Sequence, residues 1–559
     1  MPLHPSAHVS TFCRDNLPPP ALWPDLLLGA EGAEGGVDLS FPPQLNCVEE
    51  LLDARVARGE GHRLCVQGHA HGAEVRWTYA DLSAEVSRLA HALVDDLGVR
   101  PGERVLLRGA NTPAFAACWL AVVKAGAVAV ATMPLLRAKE LGQIIRKAEV
   151  RYALCDARLL DELALARAEH PALEVVATFL TPAAPAAPAA PAAPLLDLDA
   201  LAARKPATFE AVKTSSDDVC LIAFTSGTTG QPKGTMHFHR DVLAICRCWP
   251  PECLQATAED VFIGSPPLAF TFGLGGLLLF PMSVGASTVL LERASPDALL
   301  PAAARYGATV MFTAPTAYRL MALKAGEHDL RALRRCVSAG EALPAATRAL
   351  WRERTGIELI DGIGSTELLH IFISHTVHDA RSGATGRPVR GYEARVVDEE
   401  GNALPPGVVG RLAVRGPTGC RYLADDRQRA YVQGGWNLTG DAYLVDEEGY
   451  FVYQARTDDM IISGGYNIAG PEVEDALLAH EAVAECGVIG APDEERGQVV
   501  KAFVVPRPGF APTPELARAL QEFVKSTVAP YKYPRVVAFC ERLPRTETGK
   551  LQRFKLRDL

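Results

Sequence analysis

Short apolar runs alternate along this chain with longer stretches whose apolar residues recur every three to four positions. From Trp77-Thr-Tyr-Ala-Asp-Leu82 onward, Leu82, Val86, Leu89, Ala90 and Leu93 fall on one face of a helix. Gly98 and Pro101-Gly102 stop it. Val105-Leu-Leu107 predicts a strand, the segment from about Pro113 to Ala125 a helix, and Ala127-Val-Ala-Val-Ala131 a further strand. Val219-Cys-Leu-Ile-Ala-Phe224 reads as a buried strand, and beyond Glu472 the order is helix, strand, helix, strand. Such alternation implies an α/β layered fold with parallel sheets. Residues 1–45 are proline-rich and irregular, which predicts an arm wrapped on the main body. Residues 181–194 carry proline at every third position, a pattern that suits an extended polyproline spacer and denies a helix. Because the α/β pattern continues on both sides, a surface loop is expected there.

Length and charge narrow the picture. The 559 residues exceed what one compact core holds, so at least two domains are expected. A formal net charge of −10 argues against a nucleic-acid partner bound through a large basic face, while small anions, held by local loops, stay open. Thirteen cysteines, an odd number without framework spacing, point to reduced thiols and a cytoplasmic setting. The first residues show no basic segment followed by an apolar one, so no secretory signal is expected. The most apolar stretch, Trp119 to Leu136, contains Lys124, Gly126 and Pro134 and reads as a buried helix and strand; no membrane partner is expected. His237, His239, Cys246, Cys248 and Cys253 include metal-ligand types, but their spacing matches no common zinc pattern, and Cys246 and Cys248 would point to different sides of a helix.

The candidate chemistry begins at Thr225-Ser-Gly-Thr-Thr-Gly-Gln-Pro-Lys-Gly234, directly after a predicted strand. Glycines let the backbone approach a ligand, hydroxyls and free N–H groups can cradle phosphate oxygens, and Lys233 adds a mobile positive charge. The P-loop pattern of kinases and GTPases fails, because Lys233 follows Pro232 and precedes Gly234. Downstream stand Pro266-Pro-Leu-Ala-Phe-Thr-Phe-Gly-Leu-Gly-Gly276, Val337-Ser-Ala-Gly-Glu341, Asp361-Gly-Ile-Gly-Ser-Thr-Glu367, Trp436-Asn-Leu-Thr-Gly-Asp441, Arg456-Thr-Asp-Asp-Met-Ile-Ile-Ser-Gly-Gly-Tyr466 and Leu543-Pro-Arg-Thr-Glu-Thr-Gly-Lys550.

In this order the motifs resemble those of the adenylate-forming superfamily of acyl-CoA synthetases, luciferases and peptide-synthetase adenylation domains, from about Trp77 to Arg553. The resemblance implies a large, multi-layered N-terminal α/β domain with a small β-barrel-like part, residues 1–455, and a hinge at 456–459. A small mobile α+β domain, 460–559, follows. It implies ATP or AMP contacts from Thr225, Ser226, Gly227, Thr228, Thr229, Lys233, Gly340, Glu341, Asp361, Gly362, Asp441 and Arg456. Thr366 would meet the α-phosphate. Glu367, with Thr225, would hold magnesium, which wants hard oxygen ligands and few of them from protein. Lys550 matches the catalytic lysine and Asp458 the hinge, while Ser463, Gly464, Gly465 and Tyr466 would line the coenzyme A tunnel. Phe270, Thr271, Phe272, Gly273, Gly364, His370 and Ile371 would form the carboxylate-substrate pocket.

The chain departs from the family pattern at Phe270, where many members carry histidine, and at Ile363, where tyrosine is usual. Ala455 replaces a common glycine, and Pro471 sits one place late. The overall flavour is most similar to benzoate-CoA ligases, the 2-aminobenzoate-CoA ligase group above all. That implies a two-step reaction using ATP, Mg2+ and coenzyme A on an aryl acid, with a homodimer as the assembly to test for. A medium-chain fatty acid, a carrier-protein acceptor, and a non-catalytic nucleotide-binding relative are the alternatives; intact Glu367, Asp441 and Lys550 speak against the last.

Overall fold

A computed structural model describes residues 3–29, 37–70, 73–181, 195–225, 232–463, 466–493, 496–528, 530–545 and 551–559. The Ala/Pro-rich segment lies outside them from residue 182 to 194. Strands Arg104–Arg108, Val128–Thr132 and Val219–Thr225 form where expected, within a residue or two. They belong to a seven-stranded sheet running Leu195–Asp197, Val175–Phe179, Tyr152–Asp156, Arg104–Arg108, Val128–Thr132, Val219–Thr225, Lys233–Phe238. All neighbours are parallel except the last two, which form a hairpin. Parallel strands buried on both faces need continuous apolar sequence, and the first five residues of Val219–Thr225 are accordingly buried.

The expected helices are Tyr79–His91 and Pro113–Lys124. Thr78 caps the first in a reciprocal box with Asp81; Thr112 caps the second, with Pro113 at its first position. Pro113–Lys124 is buried almost throughout, and each enclosed Leu, Val or Phe contributes about 1.5–3 kcal/mol. Its buried Lys124 bonds Asp53 Oδ1 at 2.9 Å and Ser87 Oγ at 3.2 Å, so the charge does not stand unpaired. Gly102, at φ +84°, could carry no side chain, because a Cβ there would lie 2.5 Å from the Ser10 carbonyl oxygen. That close approach docks the N-terminal arm. Val9 and Ser10 N–H groups bond the Pro101 carbonyl, Ala7 N–H bonds Asp218, and Gln428 Nε2 donates to the Leu22 carbonyl.

A nine-stranded sheet packs alongside. Val261–Gly264, Ser287–Val289, Val310–Thr313, Arg335–Ala339 and Leu359–Gly364 are parallel at its centre, and Ile371–Ser374 runs antiparallel to Leu359–Gly364. A five-stranded antiparallel sheet, including Gly410–Arg415, Trp436–Val445 and Phe451–Arg456, completes the large N-terminal domain. The smaller C-terminal domain has its own sheet, Tyr466–Ile468, Ile461–Ser463, Gly497–Pro506, Val483–Asp493, with Val536–Phe539 joined in parallel. Helices Gly470–Leu478 and Pro514–Thr527 cover it. Among the described residues no hydrophobic cluster draws members from both sides of residues 456–460. The thirteen cysteines are unpaired, and all but the half-buried Cys540 are buried. No helix of the described residues is long and apolar enough to cross a membrane.

Candidate active site

The strand Val219–Thr225 ends at the glycine-rich loop, and Lys233 opens the strand that returns, paired with Thr225 across the hairpin. Ser226, Gly227, Thr228 and Thr229 lie outside the described residues. A second hairpin faces this one. Leu359–Gly364 carries Asp361, Gly362 and Gly364; the turn after it carries Thr366, Glu367 and His370; Ile371 opens the returning strand, in register with Gly364. Gly364 has no room for a Cβ, which would sit 2.7 Å from the His370 backbone. The turn is tied to the first hairpin by His237 on the Lys233–Phe238 strand, whose Nε2 donates to the Thr366 carbonyl at 2.8 Å.

Glu367 is nearly buried. Its Oε1 accepts the Tyr422 hydroxyl at 2.5 Å. Its other oxygen takes no hydrogen bond from a described residue, and it fits one hard-cation ligand beside a phosphate. Tyr422 also lies 3.4 Å from Lys233 Nζ through its hydroxyl and 5.2 Å through its ring centroid. Neither His237 nor Tyr422 stands out in sequence, because nothing in their neighbourhoods announces a partner 129 or 55 residues away. The same holds for the fully buried pair Arg421 and Asp241, 2.8 Å apart.

On the nucleotide side, Gly340 takes φ +91° after strand Arg335–Ala339. Glu341 accepts Thr316 Oγ1 at 2.8 Å and lies 3.5 Å from Arg545 of the small domain. Burial pushes the Asp361 carboxyl up to about 7, with Arg348 opposing. Burial likewise raises Asp441, against its ion pair with Arg456 at 3.0 Å. Asp441 sits inside the ten-residue strand Trp436–Val445. Gly440, at φ +78°, is accommodated within the strand.

On the acid side, Phe270 caps the short helix Thr271–Leu274. Gly273 lets that helix press on the Pro267 carbonyl. A narrow cleft is lined by Trp119, Ala131, Ala223, Phe270 and Thr271. The Thr271 side chain is nearly buried and makes no hydrogen bond to a described residue. His370 is buried among Phe280, Phe272 and Trp249, with ring centroids 4.4, 5.8 and 5.9 Å away. Burial drops its pKa to about 3, so the ring is neutral. Its Nε2 reaches the Phe272 carbonyl at 3.4 Å, which leaves Nδ1 as an acceptor without a described partner.

Asp458 falls in the turn Thr457–Asp459. Ser463 is buried and pairs with Tyr466 across a tight hairpin whose turn, Gly464 and Gly465, is outside the described residues, as is Lys550. His239 meets Cys47 and Cys220, with ligand-type atoms within 4.8 Å of one another, and not Cys246 or Cys248. Its Nδ1 already accepts the Cys47 amide at 3.2 Å, so the main chain competes for the lone pair a metal would need.

Comparison with known proteins finds relatives in sequence and in fold. The AMP-binding enzyme family model covers residues 52–422, and the AMP-binding enzyme C-terminal domain model covers 472–550. Benzoate–CoA ligase of Thauera aromatica is 37% identical over 528 residues, 93% of this chain and 97% of that one. The solved anthranilate CoA ligase AuaEII, in complex with anthranoyl-AMP, superposes with a TM-score of 0.85 at 36% identity, covering 93% of this chain and 98% of the other. A benzoate CoA ligase from Burkholderia xenovorans gives 0.82 at 33%, covering 92% and 100%. With both family models matched in order over two similarly built domains, the chain belongs to the AMP-binding enzymes.

Proposed function

We propose that this chain is an ATP-dependent ligase that joins an aryl carboxylate of the 2-aminobenzoate or benzoate type to coenzyme A. The observation that carries the reading is the single turn bearing both Glu367 and His370. One end of it is a buried carboxylate beside the phosphate-loop lysine; the other is a neutral imidazole in an aromatic wall. An acid seated against His370 is thereby brought to the phosphate side. In the first step a carboxylate oxygen attacks the α-phosphorus of ATP, forming the acyl-adenylate and releasing pyrophosphate. In the second the CoA thiol attacks the acyl carbon and AMP leaves. The protein's contribution is positioning and charge neutralisation. Magnesium, held by Glu367 with Thr225 nearby, would neutralise phosphate charge. Lys233 and Thr366 face the phosphates, Asp441 with Arg456 the ribose, and Gly340, Glu341, Asp361 and Gly362 the adenine.

The domain bounds 1–455, 456–459 and 460–559 follow the separation of the hydrophobic cores. Unpaired cysteines throughout suit a reducing cytoplasm. The aromatic wall favours a flat ring. Two acceptors, the Thr271 hydroxyl and His370 Nδ1, favour a ring bearing an N–H donor, and the anthranoyl-AMP bound by the structural neighbour is such a ligand. ATP–pyrophosphate exchange with 2-aminobenzoate, benzoate and octanoate tests the reading. Fastest exchange with an aryl acid is expected; preferred turnover of octanoate would overturn it.

A further inference from the structure

We infer that Tyr422 is a positioning residue that fixes which oxygen of Glu367 meets the metal–nucleotide and ties that carboxylate to the phosphate-loop lysine. This rests on the magnesium role proposed above for Glu367. Tyr422 is fully buried, and its segment is tied to the phosphate-loop hairpin by an isolated antiparallel bridge to Thr235. Met236 N–H donates to the Arg421 carbonyl and Leu423 N–H to the Gly234 carbonyl, each at 2.8 Å. Gln428 Oε1 accepts the Tyr422 amide at 2.9 Å, and the Tyr431 ring packs edge-on at 5.7 Å. The phenol therefore has one place to be.

Three consequences follow from that placement. The 2.5 Å bond takes one lone pair of Oε1, so the other oxygen of Glu367, which accepts no hydrogen bond from a described residue, is the one best placed to meet a cation. A small octahedral cation that keeps most of its waters takes a carboxylate in that one-oxygen manner. The bond also holds the carboxylate in one rotamer before any ligand arrives, which removes an ordering cost at binding. Finally, Lys233 Nζ lies 3.4 Å from the same hydroxyl and over the same ring. One side chain thus spaces the cation of the loop from the carboxylate and prevents the two from collapsing into a direct ion pair.

The test is Tyr422→Phe, which keeps the ring, its stacking and its cation–π contact while deleting the hydroxyl. ATP binding is measured by calorimetry, without acid, in Mg2+ and in EDTA; ATP–pyrophosphate exchange is then measured against free Mg2+. The expected result is a loss of roughly tenfold or more in the Mg2+-dependent part of ATP affinity, with binding in EDTA little changed. The Mg2+ concentration for half-maximal exchange should rise by a similar factor. In a Glu367→Gln background the same substitution should cost less than about twofold, because the charge it positions is gone. Unchanged Mg2+ dependence in a folded Tyr422→Phe protein, or full multiplicative losses in the double variant, would overturn the inference. If Glu367→Gln itself leaves Mg2+ dependence unaltered, the inference falls with the magnesium assignment. Should Tyr422→Phe not fold, Tyr431→Phe and Glu367→Gln provide the cycle. Tyr431 lies against the phenol without bonding Glu367, so equal Mg2+ shifts from both single changes would also overturn it.

Discussion

In the large domain, Glu367 is held by a phenol 55 residues away and its neighbour Thr366 by an imidazole 129 residues away, with the buried Arg421–Asp241 pair nearby. Across the boundary to the small domain the described residues make polar contacts. Arg545 lies 3.5 Å from Glu341, and Arg319 donates to the Leu478 carbonyl at 3.3 Å. One half of the candidate site is therefore pre-built and stays so. If the small domain supplies the other half, its attachment through the partly exposed Arg545–Glu341 pair can be exchanged for water at little cost, since such ion pairs contribute only about 0–1 kcal/mol. A domain with a separate core and a polar seam is suited to turning between two half-reactions.

The sharpest way to break this contrast is Lys550→Ala. If the small domain brings Lys550 only to the first step, adenylation should fall by roughly 10²–10³-fold. CoA transfer from supplied aroyl-adenylate should fall far less. Asp458→Pro should do the reverse, because a fixed φ restricts hinge rotation. Measuring both half-reactions on both variants decides; equal losses in both steps for Lys550→Ala would remove the two-conformation account.

A second prediction probes the pre-built half. Burial holds the Asp361 carboxyl up at about 7, against about 3.9 in an unfolded chain. Between those values the folded chain keeps a proton that the unfolded chain has lost, so the stability due to this group falls as pH rises through the window. Asp361→Asn removes the titration. Its stability advantage over the wild type should grow from about pH 4 to about pH 7 and then level, reaching on the order of a few kcal/mol. His370 and His375, lowered by burial to about 3 and about 4, act with the opposite sign up to about pH 6.5. The difference between variant and wild type in urea unfolding is therefore the quantity to measure.

Much of this was legible in the sequence because the chemistry rides on contiguous motifs. The strand expected before the phosphate loop forms as Val219–Thr225, whereas the hairpins that pair Thr225 with Lys233 and Gly364 with Ile371 appear only in the structure. What was not legible is the bracing. Tyr422, His237 and Arg421 act through partners that only the sheet order brings together, and no local periodicity encodes sheet order. Asp441 shows a different limit: nothing around Gly440 announces the ten-residue strand that contains it, where the pairing with both neighbouring strands shifts register.

Two smaller effects sharpen the comparison. Arg545→Ala should slow adenylation by about two- to tenfold, by loosening the seam rather than the site. A matching loss in CoA transfer would mean that the contact is structural. Thr271→Ala should lower the preference for 2-aminobenzoate over benzoate by roughly a few-fold. An unchanged ratio of kcat/KM values would remove Thr271 from the account.

The distribution of thiols has a practical side. Cys540 is the one cysteine of thirteen that is not buried, and it lies on the small domain just past strand Val536–Phe539. A maleimide dye should attach there once, on the natural sequence, and travel with that domain. Its fluorescence under ATP, acid and CoA would follow the rotation in real time, and the thiols enclosed elsewhere would react only where the core opens.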